Sequence, residues 1–180
     1  MEVPDQRLSP ATFEALAIPL FDQLYNFAHW LTQDTAEAED LVQETYVKAL
    51  RGFSSFQAGT NFRAWMYRIL RNSFLSSRTG LKTTVEFDEQ DHDTVGAAPS
   101  NPESVLLDRA NRELVQQALT ELPVHFREIL LLCEVEEMSY QEIAETLSVP
   151  AGTVMSRLSR ARKALRSLLA SRLQGKTYGV

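Results

Sequence analysis

The sequence predicts an all-α chain of two small helical domains joined by a flexible linker. Apolar residues recur every three or four positions along most of the chain, and no alternating strand pattern occurs. Residues 81–104 lack this periodicity, contain two prolines and are mostly acidic or small, which is typical of a linker. A helix-turn-helix pattern follows near the carboxyl end. We therefore assign residues 1–80 and 105–175 to the two domains, and 176–180 to a tail.

The first domain contains three predicted helical segments. An apolar stripe from Phe13 to Leu31 predicts the first, and Pro19 predicts a kink or a fresh start within it. Thr35 is the expected N-cap of the second, whose inward stripe is Ala38, Leu41, Val42, Thr45 and Ala49. The glycine- and serine-containing stretch 51–61 predicts a loop. A third helix is expected from about Phe62 to Ser76.

The second domain ends in the helix-turn-helix pattern. Ser139 and Glu142 have the spacing of a capping box, which predicts the start of a short helix. Ser148–Pro150 is the expected turn. The helix after it has an inward stripe of Val154, Leu158, Ala161, Leu165 and Leu168. Its other face is basic throughout, which suits the DNA major groove, although a solvated basic face is the alternative.

Composition excludes several classes of protein. The 180 residues include one cysteine and three widely spaced histidines, so neither a disulfide framework nor a metal site is expected. No signal peptide and no apolar run long enough to span a membrane occurs, which predicts a cytoplasmic protein. No catalytic cluster or glycine-rich phosphate loop is recognisable, so we predict neither an enzyme nor a cofactor.

Charge is divided into blocks along the chain. The formal net charge is −6, yet Thr45–Val85 contains seven Lys or Arg and no acid, and 151–180 contains another seven and no acid. Six acids and no bases lie in Glu86–Glu103. This pattern indicates two phosphate-facing surfaces on an otherwise acidic protein. It speaks against a stand-alone helix-turn-helix repressor, the main alternative, which would bind DNA unaided.

Three sequence blocks together resemble one family. "AEDLVQETYVKAL", "FRAWMYRILRN" and "SYQEIAETLSVPAGTVMSRLSRARKAL" are similar, in order and spacing, to blocks of bacterial RNA polymerase sigma factors of the sigma-70 family. The extracytoplasmic-function (ECF) group is the most similar, and within it the thiol- or envelope-stress subgroup. The resemblance implies a protein that binds core RNA polymerase, recognises the −35 and −10 promoter elements and melts the latter.

The resemblance assigns the −10 element to the first domain. Aromatic and polar groups would hold unstacked bases there, and arginines would hold the single-strand phosphates. Asn72 matches the position that contacts the flipped base, and the Ser54–Asn61 loop matches the one that forms its pocket. The alternative for Trp65 is core packing. The implied −10 residues are Phe56, Asn61, Arg63, Trp65, Arg68, Arg71 and Asn72.

The resemblance assigns the −35 element to the basic helix. The implied contact residues are Thr153, Met155, Ser156, Arg157, Ser159, Arg160 and Lys163. Many relatives have a basic residue where Met155 stands. Methionine cannot form bidentate hydrogen bonds to guanine, so readout there would rely on DNA shape and phosphates.

The resemblance also implies protein partners. Asp40, Gln43, Glu44 and Lys48 would contact the clamp helices of the largest polymerase subunit, and a solvated helix face is the alternative. The second domain would contact the β flap. An anti-sigma factor would silence the chain, and in the stress subgroup this partner would be of a zinc-binding kind. The free chain would be monomeric. Cys133 lies in an apolar run and is expected to be a buried structural thiol.

Overall fold

The computed structural model describes residues 10–79 and 105–176, and all regular secondary structure in these two ranges is helical. The first range contains α1 (Pro10–Ala17), α2 (Phe21–Thr32), α3 (Thr35–Gly52) and α4 (Phe62–Thr79). Short 3₁₀ turns at Ile18–Leu20 and Phe53–Ser55 follow α1 and α3. The second contains α5 (Val105–Glu121), α6 (Val124–Leu130), α7 (Tyr140–Leu147) and α8 (Ala151–Lys176). The linker predicted for 81–104 lies outside the described residues.

The amino-terminal domain packs α2, α3 and α4 together. The predicted inward stripe of α3 is buried at all five positions. Pro19 lies in the 3₁₀ turn, and α2 starts afresh just after it, as predicted. The N-cap prediction was wrong: Asp34, not Thr35, has the extended backbone of a cap, and its Oδ1 accepts a hydrogen bond from Glu37 N at 2.9 Å. Thr35 is already helical.

The carboxyl-terminal domain has α6, α7 and α8 around one apolar centre. Leu130 leads directly into a π-helical turn, Leu131–Val135, which widens the helix before α7. Arg127 joins α6 to the end of α5, donating hydrogen bonds to the carbonyls of Leu119, Thr120 and Leu122 at 2.9, 2.7 and 3.1 Å. These carbonyls lie at the end of α5 or just beyond it, where few backbone amides remain to pair with them.

The two domains pack directly against each other. α4 lies against α7, and α2 touches α6. Buried apolar residues of both domains belong to one cluster, which includes Phe27, Tyr67 and Leu70 on one side and Ile129, Leu132 and Ile143 on the other. Arg127 also donates to the Trp30 carbonyl across the boundary, at 3.1 Å. The face of α4 that carries Tyr67 and Leu70 therefore meets the carboxyl-terminal domain.

Candidate nucleic-acid interface

A cavity of about 340 Å³ lies beside the first half of α4. The loop before α4 and the helix itself line most of it, through Ser55, Phe56, Gln57, Thr60, Asn61, Ala64, Trp65 and Arg68. Gly59, with φ of +90°, makes the left-handed bend of that loop, a conformation that favours glycine. The loop predicted to form a base pocket thus surrounds a real cavity.

Aromatic rings form one wall of this cavity. Phe56 lies 5.0 Å from Trp65 and 5.4 Å from Phe62, centroid to centroid. Phe53, buried in the domain core, stacks on Phe56 at 6.0 Å. Trp65 is therefore half-buried, packing on neighbouring rings and also lining the cavity. Core packing of Trp65 and contact of its ring with an unstacked base are therefore compatible.

The polar residues of α4 separate into two groups. Arg68 and Asn72 are exposed, one turn apart, and only Arg68 lines the cavity. Arg71 is buried and Arg63 is half-buried. Asn61 caps the helix, since its Oδ1 accepts a hydrogen bond from Ala64 N at 3.0 Å. The structure thus brings the loop, Trp65 and Arg68 together and leaves Asn72 outside the cavity.

Carboxylates of the carboxyl-terminal domain face these groups. Glu142 Oε1 accepts from Asn61 Nδ2 at 2.7 Å. Glu136 Oε2 accepts from Arg63 Nη2 at 3.0 Å and from the Tyr67 hydroxyl at 2.5 Å. Burial raises the pKa of Tyr67, as do its hydrogen bond to Glu136 and that carboxylate's charge. The sequence did not indicate these partners, because they lie 69 to 81 positions away along the chain.

The most buried of these contacts joins Arg71 to Glu128. Arg71 Nε and Nη2 donate to the two Glu128 oxygens at 2.8 and 3.0 Å, and the Glu128 side chain is 1% exposed. Burial raises the pKa of Glu128, while the hydrogen bond and charge of Arg71, and the charge of Arg157, lower it. One carboxylate therefore interacts with a guanidinium from each domain.

The helix-turn-helix has the predicted local geometry. Ser139 and Glu142 form a complete capping box at the start of α7. Ser148 adopts the left-handed conformation, with φ of 55°, and ends that helix. α8 then begins at Ala151, after the Pro150 of the predicted turn. Ile143, Ala144 and Leu147 are buried against Val154, Leu158 and Ala161.

The basic helix exposes three of its seven predicted contact residues. Met155, at 58% exposure, projects into solvent with Ser156 and Lys163, while Thr153, Ser159 and Arg160 are half-buried. Arg157 is buried near Glu128, at 8% exposure. Arg162 pairs within its own domain with Glu134, at 2.6 Å.

The predicted polymerase-binding residues share the outer face of α3. Asp40, Gln43, Glu44 and Lys48 are all exposed. Lys48 Nζ lies 2.5 Å from Glu44 and donates to Ser73 Oγ at 2.9 Å, which connects this face to α4. Val47 and Leu50 are also about half exposed there, an apolar element that the helical periodicity did not indicate.

Cys133 was expected to be buried, but it is only half-buried, and that partial burial raises the pKa of its thiol. Of the helices in 10–79 and 105–176, none has the length and apolar character needed to cross a membrane.

Comparison with known proteins gives two family matches, one in each half of the chain. Residues 20–83 match the sigma-70 region 2 family and residues 112–165 match sigma-70 region 4. The ECF RNA polymerase sigma factor SigE of Mycolicibacterium smegmatis is 37% identical over 183 residues, covering 94% of this chain and 71% of that protein. SigW of Bacillus subtilis, also an ECF sigma factor, is 30% identical over 82% of this chain and 83% of its own.

Solved structures give the same result. The sigma factor RpoE of Bartonella quintana, in complex with the anti-sigma factor NepR, matches with a TM-score of 0.67 and 33% identity, over 88% of this chain and 96% of that one. CnrH, in complex with the cytosolic domain of CnrY, shares the fold, with a TM-score of 0.66 at 24% identity over 91% and 90%. The chain belongs to the ECF group of the sigma-70 family of RNA polymerase sigma factors.

Proposed function

We propose that α4 and the loop before it capture unstacked bases of the −10 element, while α8 binds the −35 element. The observation that carries this proposal is the cavity beside α4, which combines aromatic rings, an amide and the exposed Arg68. A base can stack on a ring while its polar edge meets the amide and its phosphate meets the guanidinium. This is the chemistry that a single strand requires.

Promoter melting needs no external source of free energy in this mechanism. Unstacking a base costs a few kcal/mol, and stacking on an aromatic side chain returns about 1–3 kcal/mol per base. Phe56 and Trp65 offer ring surface, and Asn61 and Asn72 offer donors and acceptors at either end of the face. Arg68 would hold a phosphate as it stands, and Arg63 and Arg71 would do so only after leaving Glu136 and Glu128. Captured bases thus offset the cost of opening the duplex.

The −35 element would lie along the outer face of α8. Met155 and Ser156 near its start would face base edges, and Arg160 and Lys163 would hold phosphates, with Thr153 and Ser159 at the groove wall. Met155 supplies apolar contact, which suits a thymine methyl group better than guanine. Arg157, buried here, would act at the DNA only after rearrangement of its surroundings.

Polymerase and an anti-sigma factor are the proposed protein partners. The outer face of α3, with its acids and the exposed Val47 and Leu50, would bind the clamp helices of the largest polymerase subunit. An anti-sigma partner is supported by the Bartonella quintana relative, which was solved bound to one. A zinc-binding partner and a stress regulon are finer proposals. These activities belong in the cytoplasm, with the polymerase.

In vitro transcription with core polymerase on a genomic promoter library tests the function. The chain should direct initiation from a limited set of promoters that share −35 and −10 sequences. A matched sample in which the chain carries Asp40→Ala and Glu44→Ala should lose most of these transcripts. Tight, sequence-specific DNA binding without polymerase, with no new transcripts in its presence, would instead identify a repressor.

A further inference from the structure

The short helix α1 buries two of its side chains in the amino-terminal domain. Within residues 11–17, Phe13 and Ala17 are buried, at 5% and 0% exposure, and the other five side chains are exposed. The Tyr46 hydroxyl on α3 donates a hydrogen bond to the Ala17 carbonyl at 2.7 Å. Burial, with the charge of Asp22, raises the pKa of Tyr46 to about 12, so this donor stays protonated. The Phe13 ring and the Ala17 carbonyl are thus the points at which α1 enters the domain.

Phe13 enters the domain behind the aromatic wall of the cavity, which is formed by Phe56 and Trp65. Its ring lies 5.2 Å from Phe53 and 6.1 Å from Phe62, centroid to centroid. Phe53 and Phe62 in turn lie 6.0 and 5.4 Å from Phe56, and Phe62 also lies 5.6 Å from Trp65. The rings therefore form two layers, and Phe13 supports the inner layer from the side away from the cavity.

The orientation of the aromatic wall depends on the inner layer. Phe56 lies in the loop before α4, where positions 54, 55 and 57–60 are exposed, so its ring is oriented mainly by the rings against which it packs. Phe13 meets Phe53 and Phe62 at 67° and 79°, edge to face, an arrangement that aromatic rings prefer. A base that stacks on an ordered ring does not have to offset the cost of ordering that ring. Support from behind therefore favours base capture.

We propose that Phe13 is a positioning residue for base capture: through Phe53 and Phe62, it holds the aromatic wall in the orientation that an unstacked base requires. This inference rests on the function proposed above for the cavity. Phe13 is buried and does not itself contact DNA. Loss of its ring loosens the wall without removing a group that binds the strand, so promoter opening slows while closed-complex binding does not change.

Phe13→Leu in the full-length chain tests this inference, with Phe74→Leu as the matched control. Both substitutions remove one buried ring from the same domain, but Phe74 lies toward the other end of α4, where its ring packs under Arg78. With saturating core polymerase, the fluorescence of 2-aminopurine in the non-template strand of the −10 element measures the opening rate. Phe13→Leu should slow opening about three- to tenfold, the range expected for loss of an aromatic contact, with unchanged closed-complex affinity. Phe74→Leu should open promoters at the rate of the parent chain.

Trp65 emission reports on the aromatic wall in the free chain. In a Trp30→Phe background, Trp65 is the sole tryptophan, because the chain has two. Phe13→Leu should shift its emission to longer wavelength and lower its anisotropy, and Phe74→Leu should do neither. Circular dichroism checks that each variant is folded.

Tyr46→Phe loosens α1 in a second way. This substitution keeps every ring and removes only the hydrogen bond to the Ala17 carbonyl. It should slow opening at least about twofold, as expected for loss of one hydrogen bond that holds α1 in place. Should Phe13→Leu fail to fold, Tyr46→Phe decides, and an unchanged opening rate in that variant overturns the inference.

Phe56→Ala separates the inference from the function on which it rests. An unchanged opening rate in Phe56→Ala overturns the assignment of base capture to the aromatic wall, and Trp65 emission then still shows whether Phe13 orders that wall. Slow opening by Phe56→Ala together with parent-like opening by Phe13→Leu overturns the inference alone. Equal slowing by Phe13→Leu and Phe74→Leu also overturns it, because a general loosening of the domain would then explain both.

Discussion

Arg71 and Glu128 form a bidentate ion pair between the two domains, with donor–acceptor distances of 2.8 and 3.0 Å. Fifty-seven positions separate them in the sequence, and both are buried. Two parallel hydrogen bonds fix the guanidinium plane against the carboxylate, so the pair sets an orientation as well as a distance. It anchors the arrangement in which α4 faces the carboxyl-terminal domain.

The two members of this pair should differ in their effect on stability. Glu128→Gln leaves the buried Arg71 guanidinium without its carboxylate, and removal of one buried partner costs about 3 kcal/mol or more. Arg71→Gln should cost clearly less, because Arg157 still compensates Glu128. Urea unfolding followed by circular dichroism measures both. Equal losses would contradict the role given to Arg157.

Asp40→Ala with Glu44→Ala should weaken binding to core polymerase. Both acids are exposed, so the free energy of unfolding should change by less than about 0.5 kcal/mol. Affinity should fall roughly five- to tenfold, as expected for two exposed charged contacts. Titration of labelled core enzyme measures it. Glu14→Ala with Asp22→Ala removes two exposed acids elsewhere in the domain and should leave affinity unchanged.

Arg160→Ala should alter DNA binding by the holoenzyme at promoters that need a −35 element. If Arg160 holds a phosphate, the salt dependence of binding should decrease by roughly one counterion. If it reads a base, preference at one −35 position should relax instead. Arg112→Ala, an exposed arginine on α5, serves as the control. An unchanged salt slope together with unchanged sequence preference would place Arg160 away from the DNA.

Asn72→Ala should slow promoter opening while leaving closed-complex binding nearly unchanged, because the −35 contacts lie in the other domain. Loss of one or two hydrogen bonds to a captured base corresponds to roughly 1–3 kcal/mol. Permanganate footprinting of the −10 element measures the opening rate. A pre-melted promoter bubble should restore much of the activity. Wild-type opening by the variant would exclude Asn72 from base capture.

The carboxyl-terminal domain should lose stability as the pH falls below about 6.5. Burial, with the charges of Arg157 and Arg160, lowers the pKa of His125 from its ordinary 6.5. As the pH falls, the unfolded chain therefore binds a proton at His125 before the folded chain does. The stability that neutral His125 contributes is fully present above pH 6.5 and is lost as the pH falls toward the folded-state pKa. The free energy of unfolding, measured with urea at pH 7.5, 6.5 and 5.5, should decrease less in His125→Gln than in the parent chain. His29→Gln, at an exposed site, should behave like the parent chain.

The sequence by itself determined the elements and the family. Helical periodicity located the buried stripe of α3, the Ser139–Glu142 box marked the start of α7, and Pro19 marked the start of α2, because these signals act within one or two turns of backbone. The N-cap of α3 was misplaced by one residue, since Asp34 and Thr35 are both good caps and only backbone conformation distinguishes them.

Only the tertiary structure decided what the polar residues of α4 contact. Sequence spacing places Arg63, Arg68 and Arg71 on one helix, yet it does not reveal that Arg68 is exposed while Arg71 is buried against Glu128. Such pairings join residues more than fifty positions apart, and no local rule specifies them. The packing of one domain on the other determines which basic groups are available to DNA. That packing is a property of two surfaces rather than of any single segment.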